Sequence, residues 1–141
     1  MVQDTENNME NANVRYTNPP ELSTPTGYTH VVEVHRGRTV YIAGQVALDR
    51  SGNLVGMGDF RAQTRHVLQN VKAALASAGA TFANVVKITT FVTDISQIQV
   101  LREIRSEFFG TNAPASTLVQ VVQLARPEFM IEVEAIAVVP E

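Results

Sequence analysis

No cysteine occurs in the chain. Its absence excludes disulfides, thiolate nucleophiles and cysteine-held zinc together, and suits a reducing compartment. Positive charge is also in short supply. The 11 Lys and Arg are outnumbered by 14 Asp and Glu, leaving a formal net charge of −3. There is thus no basic field to capture a phosphate backbone, and nucleic acid is not an expected partner. No apolar run approaches the about 20 residues needed to span a bilayer, so no membrane partner is expected either. Residues 1–13, rich in Asn, Glu and Gln, hold neither the basic nor the apolar segment of a signal peptide. These absences leave a cytoplasmic protein as the expectation.

What is present suits one folded domain. Hydrophobic residues make up 45% and charged residues 18% of the 141, ordinary values for a chain that buries a core. Residues 1–15 carry few large apolar side chains and are expected to form a mobile tail, followed by a single domain over 16–141. Residues 30–35 and 39–45 read as a hairpin turned at Arg36-Gly37-Arg38. A helix is expected over 60–78, where Phe60, Thr64, Val67, Leu68, Val71, Leu75 and Ala78 recur at three and four residues. Asp59 is placed to cap its start and Gly79 to end it. Residues 85–93 are β-branched and strand-like. A second helix follows, with Ser96 and Gln99 spaced as a capping box and Ile95 and Val100 as a hydrophobic staple. Leu101, Ile104 and Phe108 continue its stripe, and Gly110 closes it. Strands over 118–124 and 130–139 complete an order β-β-α-β-α-β-β. That order implies an α/β (α+β) domain with two helices on one face of a mixed sheet.

The last strand says most about function. Ile131, Val133, Ala135, Ala137 and Val139 alternate onto one face, suited to lie under helices. The other face carries Met130, Glu132, Glu134, Ile136 and Val138, with Lys87, Thr89, Gln45 and Gln120 candidates for the same layer. Carboxylates among large aliphatics point to a subunit interface or a pocket wall. Glu132 and Glu134 share that face at i and i+2. They are either a catalytic carboxylate pair or partners in salt bridges to Lys87 or to a second subunit.

Other motifs fail on spacing. His30, His35 and His66 show no metal-ligand pattern, so no metal is expected. Gly56-Met57-Gly58 precedes a helix, but no strand leads into it and Asp59 would repel an anion there, which removes a dinucleotide site.

Ordered pieces of the chain resemble the RidA (YjgF-type) family. They are Gly27-Tyr28-Thr29; Tyr41, Gly44 and Gln45; Gly58-Asp59-Phe60 with Gln63-Thr64; Asn70 with Lys72; Gly79-Ala80; Val85 through Lys87 to Phe91-Val92 and Asp94; Pro114-Ala115 before Val119-Gln120-Val121; and Ile131-Glu132-Val133-Glu134 to Ala137. The set covers about residues 17 to 139. The resemblance implies a chorismate-mutase-like fold assembled as a homotrimer around a central barrel, with ligand clefts between subunits. It also implies hydrolysis of reactive enamines and imines without metal or organic cofactor. Such substrates carry a carboxylate that needs a cation and preorganised donors, and water must be delivered to the imine carbon.

Position by position, the resemblance makes Glu132 the residue that positions water and Tyr28 a wall of the cleft. Ala43, Gly44, Gln45 and Thr117 would bind the ligand from the strands. The family's carboxylate-gripping arginine falls at Ser116, in Pro114-Ala115-Ser116-Thr117. A hydroxyl donates one neutral hydrogen bond where arginine supplies a charged fork. Arg102, in the second helix, is the candidate to replace the charge, unless it pairs with a nearby carboxylate; Arg126 is a weaker one. Two functions therefore stay open. One is a trimer that binds a small carboxylate or carbonyl metabolite between subunits and hydrolyses an enamine or imine with altered specificity. The other is a non-catalytic ligand-binding or regulatory trimer. A ribonuclease or translation inhibitor is disfavoured by the acidic balance.

Overall fold

A computed structural model describes residues 13–141. Its elements run β1 (Val14–Thr17), β2 (Val31–Val34), β3 (Arg38–Gln45), α1 (Phe60–Ser77), β4 (Val85–Val92), α2 (Ile98–Phe108), β5 (Ala115–Gln120) and β6 (Ile131–Val139). The expected order thus gains one strand at its start. Most of the tail expected over 1–15 lies outside the described residues, and β1 begins at Val14, just inside that segment.

Four strands form one sheet in the order β3-β6-β4-β5, antiparallel except for the parallel pair of β4 and β5. The mixed sheet follows from the connections: α2 carries the chain over from β4 so that β5 runs beside it in the same direction. On β6 the expected alternation holds. Ile131, Val133, Ala135 and Ala137 are buried, whereas Glu132 and Ile136 are half-buried and Glu134 is exposed. The buried row joins Ile42, Ile88 and Val92 of the sheet to Phe60, Val67, Leu68, Val71 and Leu75 of α1 and Leu101 and Ile104 of α2 in one core. Each such aliphatic side chain contributes about 1.5–3 kcal/mol relative to exposure.

The expected hairpin is corrected. Its two strands exist, but β2 pairs with β1 and β3 pairs with β6. The four residues of β1 are β-branched or aromatic at three positions, short enough to pass unnoticed beside a polar segment. The ribbon of β1 and β2 lays Val14, Tyr16 and Val32 against Val86, Ile136 and Val138. This covers one end of the sheet's second face and explains why Val138 is buried while Glu134 is not.

Helix α1 starts as expected, with the Asp59 carboxylate accepting from Ala62 N at 3.0 Å. It ends at Gly79, whose φ of 72° lets Ala80 N reach back to Leu75 O at 2.9 Å. The start of α2 differs from expectation. A short 3-10 turn, Ile95–Gln97, precedes it and is capped by Asp94, whose carboxylate accepts from both Ser96 N and Ser96 Oγ; Gln97, at the start of α2 itself, makes no side-chain capping bond. An aspartate two residues earlier outcompetes the serine because it accepts as an anion, which also holds its pKa below the ordinary value. The helix closes at Phe109 in extended conformation, one residue before Gly110.

The two helices are joined by paired charges. Arg61 meets Glu103 at 3.0 Å, and Arg65 meets Glu107 through two hydrogen bonds at 2.8 and 3.3 Å. Spacing of four residues on both helices sets these pairs side by side. The consequence for function is that the carboxylates of α2 are spoken for, and its remaining arginines are not. No described helix is long and apolar enough to cross a membrane.

Candidate functional site

Helix α2 has a second face besides the one in the core. Ile98, Leu101, Arg102, Arg105, Ser106 and Phe109 fall at successive helical steps, and together they wall a cavity of about 570 Å³. The opposite wall comes from the sheet's edge strand, through Ser116 and Leu118 of β5. Thr26, Gly27 and Tyr28 close one end.

Tyr28 is held there by its neighbours. Thr29, buried, donates its N–H to Pro114 O at 3.1 Å and its hydroxyl to Ala113 O at 2.5 Å. The Tyr28 loop is thereby fastened alongside the segment that leads into Ser116. His30 supports the tyrosine from behind, edge-on at 5.1 Å between ring centres. Its own backbone N–H donates to Asn18 Oδ1 at 2.8 Å, so the proline-rich segment braces the same loop.

Arg105 lines the cavity beside Ser116. Its Nη1 donates to Ser116 Oγ at 3.2 Å, and its guanidinium lies over the Phe109 ring at 5.4 Å. The pKa of Arg105 is lowered, chiefly by burial and further by the nearby positive charge of Arg102. Neither arginine makes an ion pair among the described residues, because Glu103 and Glu107 face α1. Among the described residues of the chain, no carboxylate lines the cavity. Two guanidinium groups thus share a partly desolvated space with no anion to balance them, an arrangement that favours an incoming carboxylate.

Sequence reasoning named Arg102, which does line the cavity. It missed Arg105, the residue that reaches Ser116. The signal was available: Arg105 stands four residues from both Leu101 and Phe109, on the stripe that borders the cavity. Arg126 is elsewhere, stacked over Phe129 at 5.3 Å.

The other expected site residues divide between the faces of the sheet. Ser116 pairs with buried Ile88 and so points to the helix side, whereas Thr117 points the other way and accepts from Lys87 Nζ at 2.8 Å. Glu132 shares Thr117's side of the sheet, opposite Phe91. Its carboxylate lies directly against Gly44, where a Cβ would come within 2.8 Å of the carboxyl carbon. Ala43 lines a separate hollow of about 410 Å³ with Tyr41, Lys87, Thr89 and Glu134. Gln45 donates to the carbonyl of Ala43 at 3.0 Å. Within one chain, then, Tyr28, Ser116 and the arginines come together, while Glu132, Gly44, Ala43, Gln45 and Thr117 do not join them.

Fold and cavity define the class: an α+β domain with a cationic cavity between a helix and the edge strand of a mixed sheet. The family model described as Endoribonuclease L-PSP matches residues 20–139, and the chain belongs to this family, that of the RidA and YjgF proteins. A RutC family protein of Pyrococcus abyssi is 36% identical over 110 residues, which are 78% of this chain and 84% of that one. A crystal structure of YyfB of the Rid protein family, from Yersinia pestis, is 40% identical. It superposes with a TM-score of 0.83 over 90% of this chain and 99% of that chain. RidA from the Antarctic bacterium Psychrobacter is 31% identical with a TM-score of 0.68, covering 88% and 98%.

Proposed function

We propose that the chain is a cytoplasmic imine and enamine hydrolase whose carboxylate-binding arginine has moved from the strand to the helix. The observation that carries this reading is the hydrogen bond from Arg105 to Ser116. The serine occupies the position from which the family arginine would extend, and the guanidinium of Arg105 arrives at that point from α2. A 2-imino acid held there by its carboxylate would be fixed beside Tyr28. Hydrolysis then needs water to add at the imine carbon, protons to reach nitrogen, and the carbon–nitrogen bond to break with release of ammonia and the 2-oxo acid. Glu132 is the carboxylate suited to take the proton from water.

Because Glu132 faces away from the cavity of its own chain, the reading needs a neighbouring subunit to supply it. A homotrimer with intersubunit clefts is part of the proposal. Supporting it is the character of the sheet's second face, where Tyr41 is 78% exposed beside Lys87, Glu134 and the half-buried Ile136. Such a mixture is costly to leave wet and suits a partner surface. The ribonuclease in the family's description is not favoured, since the arginines sit inside a cavity and not along a basic, aromatic stripe.

The test is to generate 2-iminobutyrate in situ with a dehydratase and follow its decay by semicarbazide trapping. Wild-type protein is expected to accelerate the decay, and Glu132→Gln to lose about 10²-fold or more of that acceleration. Decay unchanged by the wild type would leave a non-catalytic binding protein.

Gly44 gives a further prediction. Adding a Cβ pushes the Glu132 carboxylate aside, since the three atoms nearest the new one all belong to that flexible side chain. Gly44→Ala is therefore expected to lower kcat at least tenfold with KM and melting temperature little changed. A fall in KM-dependent binding with kcat intact would show that Gly44 does not position Glu132.

A further inference from the structure

The cavity holds one more cation than a simple 2-imino acid requires. Arg105 is engaged with Ser116, yet Arg102 lines the same space with no carboxylate beside it. The two residues are separated by three positions on α2, so their side chains leave the helix about 5–6 Å apart and reach into one volume. Burial, and after it the positive charge of Arg102, lower the pKa of Arg105. Retaining two like charges in a half-closed site is unfavourable unless opposite charge meets them; a Glu132 carboxylate from a neighbouring subunit, engaged with water, would leave both guanidinium groups for the ligand.

We propose that the cavity selects a dianionic ligand, a short dicarboxylate with one carboxylate on Arg105 and Ser116 and the second on Arg102. The inference rests on the carboxylate-binding reading above and specifies its substrate class: imino or enamino acids that carry a second acidic group. The volume of about 570 Å³ accommodates a chain of four to six carbons. Ile98, Leu101 and Leu118 supply apolar walls for its methylenes. A ligand with one carboxylate would leave the Arg102 charge unbalanced, and that difference is the source of selectivity.

Calorimetric titration of the full chain with glutarate and with butyrate tests this, because neither probe can react. Glutarate is expected to bind at least tenfold more tightly, the gain one additional charged hydrogen bond supplies. In Arg102→Gln the two affinities should converge. Arg126→Gln, which removes the same charge outside the cavity, should leave the preference intact. Equal affinities in the wild type, or a preference that survives Arg102→Gln, would overturn the dianion proposal while butyrate binding upheld the carboxylate site. Absence of binding by both probes would overturn the carboxylate site itself, and the dianion proposal with it. A preference lost equally in Arg126→Gln would reduce the effect to net charge and also overturn it.

Discussion

Arg105→Ala is expected to weaken carboxylate binding and kcat/KM about 100-fold. Three features set the size of the effect. The guanidinium is partly buried, it is held by Ser116 Oγ at 3.2 Å, and it lies over the Phe109 ring at 5.4 Å. Removing a charge-assisted, two-pronged contact of this kind costs about 3 kcal/mol, which is roughly a factor of 100. Arg105→Lys should recover only part of the loss, since an ammonium lacks the planar fork. The fold should survive both changes, as the stacking on Phe109 contributes only about 0.5–1 kcal/mol. Mixing supplies the decisive control. If Arg105 and Glu132 meet across a subunit boundary, Arg105→Ala and Glu132→Gln proteins, each strongly impaired, should regain a fraction of wild-type activity when unfolded and refolded together. Unchanged kinetics in Arg105→Ala would mean that the ligand sits elsewhere.

The parts of the molecule that could be read in the sequence are those where one period dominates. Helix α1 carries its apolar stripe over 18 residues between Asp59 and Gly79, and β6 alternates over nine. Family motifs along the chain then singled out Tyr28, Ser116 and Glu132 as candidates, of which Tyr28 and Ser116 line one cavity within the chain. Harder to see were features decided by a partner element. Whether β2 zips to β1 or to β3 depends on the turn at Gly37 and on the apolar patch that Val138 offers, neither of which has a period. The expected cap at Ser96 gave way because a 3-10 turn was inserted ahead of α2: Asp94 caps that turn, and Gln97, at the start of α2 itself, makes no side-chain capping bond. Arg105 was hidden for a related reason. Arg102 and Arg105 are similar as letters, and only the side of α2 left free after Glu103 and Glu107 turn to α1 shows that both face the cavity. A glutamate on each helix-facing step was the clue, but its meaning required knowing that α1 lies alongside.

Gln63 is the residue whose loss should most damage the fold. It is fully buried on the core face of α1, where sequence alone would place an apolar side chain. Its amide explains the choice. Nε2 donates to Gly56 O at 3.1 Å and to Glu128 O at 2.9 Å, while Oε1 accepts from Met130 N at 2.9 Å. One side chain therefore ties the loop before α1 to the segment that opens β6. Gln63→Leu preserves bulk and leaves three backbone groups without their partner, each worth about 1–3 kcal/mol when buried. Allowing for relaxation of the loops, destabilisation of about 3 kcal/mol and a fall of roughly 10 °C in melting temperature are expected. Gln63→Glu separates hydrogen bonding from volume. Facing two carbonyls without contact with water, the new carboxyl would be held protonated, with a folded-state pKa above the unfolded value of about 4.3. An acid whose folded pKa is raised destabilises the native state progressively as pH rises from the unfolded to the folded value. Gln63→Glu should therefore approach wild-type stability near pH 4 and fall well below it at pH 8, whereas Gln63→Leu should show a deficit independent of pH. Equal deficits at both pH values would mean that the segment swings open to admit water. Since Met130 stands two residues before Glu132, a loosened start of β6 should also reach the proposed catalytic carboxylate, lowering kcat at temperatures where the protein is still folded.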